Sequence, residues 1–400
     1  MAAAVAVLAA IALLTLWPGR SEAAPGFSWC IVCGELGTLN ILLNVALFVP
    51  FGASLAWGRA FSMRNATQAL FASLLVSTSI ELLQLGVIKG RDPSLSDVVA
   101  NTLGGAMGAS LAHEVAWSVV AWRRISWTLA LVASTVLVFG QWAMQPSLPR
   151  ETYYVQWLPE RPAYVPFNGT VLAFALDSIQ LRPGAVFNAR TLPDEFLHGR
   201  MDLRVRVTPG SPPHGIALIA RLAVASGEVL MLGRAEDALV FRYRANGARA
   251  GLRSPMVTLP RAFALNGDTA LQLEAALRPG RVTLGARDGG EFRVARRLEI
   301  TTARAWTLLL PWNLAIGGIG HLFNAAWLAL LFGVVAYSAA RARFRLYAAW
   351  PLEVLALVLI GLASIAPGAP EWTSWIGAIA GAALGFWLGA RRVAVIVAPH

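Results

Sequence analysis

Charged residues are scarce in this sequence. Only 14% of its 400 residues are Asp, Glu, Lys or Arg, whereas about 25% is usual for soluble proteins. Apolar residues make up 56% and gather in eight runs, each near the length of about 20 residues that crosses a bilayer. The runs cover residues 1–17, 39–57, 67–88, 97–121, 126–145, 321–340, 346–366 and 372–390. The composition excludes a wholly water-soluble fold and predicts a multi-pass α-helical membrane protein with about eight spans.

Lysine is almost absent as well, because Lys89 is the only one and the net charge of +11 comes from arginine. No basic stretch is interleaved with aromatic residues, so we expect no nucleic-acid partner. Arginines beside membrane spans indicate orientation instead, since positively charged loops stay in the cytoplasm. With the arginine pairs 123–124 and 391–392 inside, residues 146–303 are predicted to be extracytoplasmic and the C-terminus cytoplasmic. We expect the chain to lie in the bacterial cytoplasmic (inner) membrane.

Cysteine occurs only twice, as Cys30 and Cys33 in a C-x-x-C spacing after the first apolar run. One pair cannot complete a zinc site and the five histidines are scattered, so we expect no metal. We expect the pair to face the oxidising side of the membrane and to be dispensable, and it is either an incidental pair, a local structural disulfide or a redox pair. Motifs for nucleotide binding and serine hydrolysis are also absent, and no cofactor is expected.

Residues 146–303 lack the long apolar runs and alternate between apolar and polar residues. Leu203, Val205 and Val207, for example, are separated by arginines, which is typical of half-buried strands. Turn sequences divide many short strands, so we predict an inserted all-β sandwich of jelly-roll type. This pattern resembles concanavalin A-like or laminin-G-like domains. Aromatic residues before the first strands form either a glycan-binding surface or else a juxtamembrane aromatic belt or ordinary core, and they are Tyr153, Tyr154, Trp157 and Tyr164.

Polar residues gather in the second to fourth apolar runs, although an ionisable group at the bilayer centre costs about 3 kcal/mol. Glu81 and Gln84 are three residues apart and share one helix face, and Asp97 and Asn101, four apart, share another. We therefore predict one outward-facing polar pocket. Its catalytic candidates are Glu81 and Asp97, and its substrate-binding candidates are Asn44, Gln84, Arg91 and Asn101. The alternative is that these groups only hold the helices together.

The spacing of these residues carries a family resemblance. Its pieces are Asn44-Val-Ala-Leu-Phe-Val-Pro50-Phe-Gly52, Glu81-Leu-Leu-Gln84, Arg91 with Asp97 six residues later, and Asn101-Thr-Leu-Gly104 with Gly108. In this order they resemble VanZ-like membrane proteins over roughly residues 35–120. The resemblance implies an envelope membrane protein in which Pro50, Gly52, Gly104 and Gly108 are structural motif residues. It also implies a link to glycopeptide (teicoplanin) tolerance, with which one member of that family is associated.

The chain divides by these patterns into three predicted domains. They are a VanZ-like transmembrane bundle at 1–145, the β-sandwich at 146–303 and a C-terminal bundle at 304–400. The first run is either a cleaved signal or a retained anchor, because Ser21 to Ala24 resembles a signal-peptidase site. Residues 306–320 are apolar but short and contain a proline, so we predict an interfacial or re-entrant piece there.

The C-terminal bundle resembles a degenerate repeat of the first. The overlay sets Asn44 on Asn324, Gly104 on Gly381 and Gly108 on Gly385. At the positions of Glu81 and Asp97 the second copy then has Gly361 and Ser374. The second copy is therefore predicted to keep the packing and to lack the chemistry, and chance similarity between apolar helices is the alternative.

Three functions fit these observations. The favoured hypothesis is a pocket that binds or acts on an envelope lipid or a lipid-linked glycan, with membrane lipids and cell-wall polysaccharide as expected partners. The second is a non-enzymatic envelope adaptor whose β-sandwich binds glycan or protein. The third is a secondary transporter, since internal repeats are common in transporters. The residues leave open whether the chain is an enzyme.

Overall fold

The structure is a computed structural model. It describes residues 2–16, 27–32, 36–56, 63–88, 93–112, 119–159, 164–188, 199–264, 270–288, 291–309, 318–343, 350–365 and 372–397. Within these residues the chain forms eight α-helices and twelve β-strands. It divides into two compact units, the first formed by Met1–Ser118 with Ala250–Leu252 and the second by Val119–Arg249 with Arg253–His400.

The first unit is helical in the part that the structure describes. Its helices are α1 (Ala2–Thr15), α2 (Gly37–Ala56), α3 (Met63–Gly86) and α4 (Leu95–Ala112). Ile11 of α1 is buried against Phe48 and Phe51 of α2 and Ile80 of α3. This apolar cluster makes α1 part of the packed unit.

The second unit contains the remaining helices and all the strands described. Its helices are α5 (Val119–Met144), α6 (Gly318–Arg341), α7 (Trp350–Ile365) and α8 (Trp372–Val397). Leu137 of α5 is buried with Leu328 and Phe332 of α6 and with Leu355 and Leu359 of α7. Helix α5 therefore packs with the C-terminal helices, although its place in the sequence predicted that it would close the first bundle.

Each of the eight apolar runs contains a helix in its described residues, but the helices differ in length and apolarity. Five in the described part are long and apolar enough to span a membrane, and they are Gly37–Ala56, Thr67–Gly86, Val119–Met144, Gly320–Arg341 and Trp372–Arg391. Helices α1 and α7 are shorter apolar helices. Helix α4 falls outside this group because Asp97, Asn101 and several glycines lower its hydropathy. The chain is thus a multi-pass α-helical membrane protein, as predicted, with five candidate spans among the described residues, and the predicted number of about eight stays a prediction.

The predicted β-sandwich is confirmed as two six-stranded sheets. The strands are β1 (Thr152–Trp157), β2 (Thr170–Leu176), β3 (Ile179–Gln180), β4 (Val186–Asn188), β5 (Met201–Thr208), β6 (Ile216–Val224), β7 (Gly227–Ala235), β8 (Ala238–Tyr243), β9 (Met256–Leu259), β10 (Leu271–Arg278), β11 (Arg281–Asp288) and β12 (Glu291–Glu299). The first sheet has the order β4-β1-β6-β7-β8-β9 and the second β12-β11-β10-β5-β2-β3. The strand pairs described are antiparallel.

Alternation along the strands builds the core between the sheets. On β5, Leu203 and Val205 are buried while Arg204 and Arg206 are exposed, as the period-two pattern predicts. The Pro-Gly turn between β10 and β11 places Gly280 at φ 72°, a conformation that favours glycine. The sequence pattern therefore predicted both the strands and the turn that joins them.

A 3-10 helix at Thr302–Leu308 connects the sandwich to the C-terminal helices. The Thr302 hydroxyl donates to the Leu137 carbonyl at 2.8 Å, and buried Trp306 donates from Nε1 to Asn324 Oδ1 at 2.7 Å. The re-entrant piece predicted at 306–320 thus begins as a buried 3-10 turn, and residues 310–317 lie outside the described part of the chain.

Candidate functional site

Helices α2 and α4 pack backbone against backbone. A β-carbon on Gly104 would overlap the carbonyl of Val45, and one on Gly108 would overlap that of Val49. Gly52 of α2 lies equally close to the backbone of α4. Glycine permits such close approach between membrane helices. Three of the four predicted structural motif residues therefore set the distance between α2 and α4.

This close approach brings Asn44 on α2 to Asp97 in the first turn of α4. The Asn44 Nδ2 donates a hydrogen bond to Asp97 Oδ1 over 2.6 Å. Both side chains are half-buried, so each keeps a part that faces the surroundings of the protein. A hydrogen bond to an ionised carboxylate is stronger than one between neutral groups. The two residues form a polar pair that remains accessible to a ligand.

Ser94 links this pair to Glu81. Its backbone N–H donates to Glu81 Oε2 at 2.8 Å, and its hydroxyl accepts a bond from the backbone N–H of Asp97 at 3.2 Å. The second bond is an N-cap, which satisfies a backbone donor in the first turn of α4. Glu81 itself is only 4% exposed. The two carboxylates therefore meet at the N-terminus of α4, where the helix dipole favours negative charge.

Gln84 and Asn101 bind other partners. Gln84 Nε2 donates to the carbonyl of Thr15 at the end of α1 over 2.9 Å. Asn101 Nδ2 donates to Ser77 Oγ on α3 over 2.9 Å, and its own Oδ1 is buried with no hydrogen-bond partner among the described residues. Both amides lie between helices, which fits the structural alternative for these two positions. The structure thus places Asn44, Glu81 and Asp97 in one cluster and gives Gln84 and Asn101 separate contacts.

The remaining residues of the predicted set are Arg91 and Pro50. Arg91 lies outside the described residues, so its part in the cluster stays a prediction. Pro50 lies inside α2 at an exposed position. Because proline has no backbone N–H, α2 lacks one helical hydrogen bond at this point.

A segment after the first helix pairs with the start of α4. Ser28 forms an isolated parallel bridge with Ser94. Its N–H donates to the Pro93 carbonyl at 3.0 Å, and its carbonyl accepts from the Leu95 N–H at 2.9 Å. The backbone on both sides of Ser94 is therefore held by this segment. Because Ser28 pairs with Ser94, the segment of residues 27–32 lies directly beside the carboxylate cluster.

The same segment contains a disulfide-bonded cysteine. Cys30 is disulfide-bonded, and Cys33, the other cysteine of the sequence, lies outside the described residues. The adjacent Trp29 is 77% exposed and packs edge-on against Phe27. That the cysteine pair is dispensable stays a prediction.

Sequence reasoning missed Ser94 and Ser28. A signal for Ser94 existed, because Ser94 followed by Asp97 at the third position is a helix-start pattern. Ser28 gave no such signal, since it pairs with a residue far away in the chain and lies in an irregular segment. A local pattern can indicate a helix cap but not the segment that pairs with it.

The chemistry of the cluster is that of two neighbouring carboxylates. In the part of the chain that the structure describes, neither Glu81 nor Asp97 forms an ion pair. The same residues include no group of three or more His, Cys, Asp or Glu that could hold a metal ion. Half-buried Asp97 can accept hydrogen bonds from hydroxyl or ammonium groups, and Asn44 can both donate and accept. Such a pair suits a polar, hydroxyl-bearing ligand.

Comparison with known protein families gives one match, in the N-terminal part of the chain. The VanZ/LLP1 family model matches residues 7–118, which covers most of α1 and all of α2, α3 and α4. This match supports the VanZ-like resemblance for that part of the chain. No curated protein and no solved structure matches the chain.

The aromatic residues proposed for glycan binding do not share one surface. Neighbouring Tyr153 and Tyr154 face opposite sides of β1, and Tyr153 is fully buried and stacked on Phe187. Tyr164 accepts a hydrogen bond from Arg242 at 2.6 Å, and Tyr154 is 43% exposed. The core alternative therefore holds for Tyr153.

Proposed function

We propose that this chain is a cell-envelope membrane protein whose Asn44–Asp97 pair, backed by Glu81, binds or acts on an envelope lipid or a lipid-linked glycan. The observation that carries the proposal is the meeting of two carboxylates at the start of α4, one half-buried and one buried. Contacts that only hold membrane helices together are usually made by small residues, hydroxyls and amides. A second carboxylate adds desolvation cost without improving such packing, and this supports a site.

Each residue of the cluster has a distinct role in this proposal. Asp97 accepts hydrogen bonds from the ligand or takes up a proton, since its carboxylate is half-buried. Asn44 orients the ligand and fixes the Asp97 carboxylate through their 2.6 Å bond. Buried Glu81 acts through Ser94, whose N–H it accepts, and so positions the first turn of α4. Arg91 holds an anionic part of the ligand.

Exposed apolar residues next to the cluster support a lipid ligand. Trp29, Ile31 and Val32 are 77%, 56% and 60% exposed in the segment that pairs with Ser94. Tryptophan is enriched where protein meets the membrane–water boundary. This segment therefore suits the level of lipid headgroups, beside the two carboxylates.

The test is the Asp97→Asn variant in a strain that lacks the chromosomal gene. Asparagine keeps the volume and an oxygen acceptor for Asn44, so we expect a loss of stability of about 1 kcal/mol or less. Envelope lipid composition and teicoplanin tolerance should nevertheless resemble those of the deletion strain. Glu353→Gln, at an exposed position in the first turn of α7, is the matched control and should behave like the wild type.

Two results would contradict the proposal. Full restoration of both phenotypes by Asp97→Asn shows that the negative charge is not needed. Loss of both phenotypes together with a loss of stability in detergent well above about 1 kcal/mol shows that Asp97 is structural.

The orientation belongs to the same proposal. We place residues 146–303 outside the bacterial cytoplasmic membrane and the C-terminus inside, on the charge pattern of the loops. Protease added to intact spheroplasts should then cut at the sandwich. Protection of this region until lysis would reverse the orientation and move the cluster to the cytoplasmic side.

The β-sandwich supports a second candidate, an envelope adaptor. Its likeness to concanavalin A-like domains stays a prediction. Deleting residues 146–303 distinguishes the two candidate functions. If the first unit acts alone, the lipid phenotype should survive the deletion. If the sandwich recruits a partner, the phenotype should be lost. A transporter is less well supported, since the polar cluster lies at the start of α4 and not at mid-helix.

A further inference from the structure

A polar groove lies on the outward face of the second sheet. Its volume is about 380 Å³, and it crosses β5, β10 and β11. Polar side chains of three strands line it, and Ala276 leaves open space between them; they are Asp202 and Arg204 on β5, Gln272 and Glu274 on β10 and Arg287 on β11. The Asp202 carboxylate is already paired with Arg278 at 2.7 Å. Arg204 lies directly opposite Glu274 in the strand register. The groove is therefore built on rigid strands.

Positive charge exceeds negative charge along β5. Arg287 pairs with Glu274 at 3.0 Å, and Gln272 donates to the same carboxylate at 2.7 Å. Exposed Arg204 forms no ion pair in the described part of the chain, and neither does Arg206, which lies next to the groove, opposite Gln272 in the strand register. Both side chains project from the same face of β5, and their Cα atoms are about 7 Å apart along the strand. They offer two unpaired guanidinium groups, which bind carboxylate or phosphate well.

The rest of the lining indicates which anion fits. The described residues around the groove include no aromatic side chain, so neither the stacking that holds nucleic-acid bases nor an aromatic platform for neutral sugars is available. The Glu274 carboxylate and the Gln272 amide can bond to hydroxyl groups. Few apolar groups face the groove, which disfavours lipid tails and apolar peptide side chains.

We infer that this groove binds an acidic glycan, a sugar chain that carries carboxylate or phosphate groups. Arg204 and Arg206 bind successive anionic groups, and Gln272 and Glu274 bind the hydroxyls between them. This site is separate from the carboxylate cluster and does not depend on the function proposed for it.

The experiment measures binding to the full-length protein in detergent by isothermal titration calorimetry. The probes are polygalacturonate for carboxylates, poly(glycerol phosphate) for phosphates, dextran as a neutral glycan and polyglutamate as an acidic peptide chain. We expect saturable binding to at least one of the first two probes and weaker binding to dextran and polyglutamate. Affinity should fall as salt rises, because the contacts are exposed and ionic.

The double variant Arg204→Ala with Arg206→Ala should lose affinity about tenfold or more, given the strength of hydrogen bonds to charged groups. Arg150→Ala with Arg182→Ala removes the same charge at two exposed positions away from the groove and should bind like the wild type. Because all four side chains are exposed, melting temperatures should not change.

Three results would overturn the inference. They are no binding of either acidic glycan, an equal loss in the control variant, and polyglutamate binding as tight as that of the glycans. The second would show that net charge alone attracts the polymer, and the third that the groove does not recognise sugar.

Discussion

The helix pairs α2–α4 and α6–α8 have the same packing and differ in their polar contacts. The equivalent contacts are Gly104 on Val45, Gly108 on Val49, Gly377 on Ala325 and Gly381 on Ala329. When Asn44 is set on Asn324, the contacting residues of α2 fall on those of α6. Gly104 then matches Gly377, whereas the sequence overlay had matched it with Gly381. The overlay was therefore wrong by four residues, about one helical turn, because glycines recur every four residues along α8 and several alignments fit.

The polar partner of the equivalent asparagine differs between the two pairs. Asn44 donates to the Asp97 carboxylate, whereas Asn324 accepts from the indole of buried Trp306. In the second pair the partner of the asparagine is therefore Trp306 of the 3-10 helix, and in the first pair it is the half-buried Asp97. Close helix packing and polar chemistry are separable in this chain, and single substitutions can test each alone.

Replacing a packing glycine should have the largest effect, and it should be equal in both pairs. Gly104→Ala and Gly377→Ala would each push two helix backbones apart, at a cost of about 3 kcal/mol in unfolding free energy. Thermal and denaturant unfolding in detergent would measure the loss.

Two glycines in open space serve as controls for this comparison. A β-carbon on Gly86 of α3 or Gly361 of α7 meets nothing within 4 Å. Alanine at either position should leave stability unchanged or raise it by about 0.5 to 1 kcal/mol, because alanine favours the helix. If Gly104→Ala proved as stable as Gly86→Ala, the backbone contact would not matter for stability.

Replacing the equivalent asparagines should separate stability from function. Asn324→Leu leaves the buried Trp306 N–H without its acceptor, so we expect a loss of about 2 kcal/mol. Asn44→Leu removes one half-buried bond and should cost only about 0.6 kcal/mol, yet it should abolish the lipid phenotype. Melting curves and lipid analysis on the same two variants would measure both effects. A large stability loss at Asn44 with intact lipids would reverse the comparison.

The smallest effect is expected one turn from the packing glycines, where Asn101 in α4 corresponds to Ser374 in α8. Asn101→Ala loses the bond to Ser77 and should cost about 1 kcal/mol. The buried Ser374 hydroxyl has no hydrogen-bond partner among the described residues, so Ser374→Ala should be neutral within about 0.5 kcal/mol. Equal losses in the two variants would show that Ser374 also bonds across the helices.

Hydropathy and period predicted most of the fold, because both patterns are local. The eight apolar runs became helices, and the alternation around Leu203 and Val205 became a strand of a β-sandwich. The grouping of α5 was not predictable in this way. Its partners depend on which face meets α6 and α7, and a helix that is apolar on most sides gives no sign of that face.

The candidate site was predictable in part. Spacing placed Glu81 and Asp97 near each other, and the structure joins them through Ser94. The same spacing put Gln84 and Asn101 into the pocket, whereas they bond to α1 and α3. Residues on the same face of a helix can point their side chains in different directions. Which acceptor each amide reaches depends on the neighbouring helix, and the spacing along the sequence does not give that.

Helix α1 has to stay in place until α3 has been synthesised, because the Gln84 amide of α3 donates a hydrogen bond to the Thr15 carbonyl of α1. The two residues are 69 positions apart in the chain. Proteolytic release of α1 at Ser21 to Ala24 would remove that acceptor and uncover Phe48 and Phe51, which now pack on Ile11. The first helix thus acts as a lasting folding partner of α2 and α3. We therefore expect mass spectrometry of the mature protein to detect peptides from α1, and their absence would contradict a lasting role for this helix.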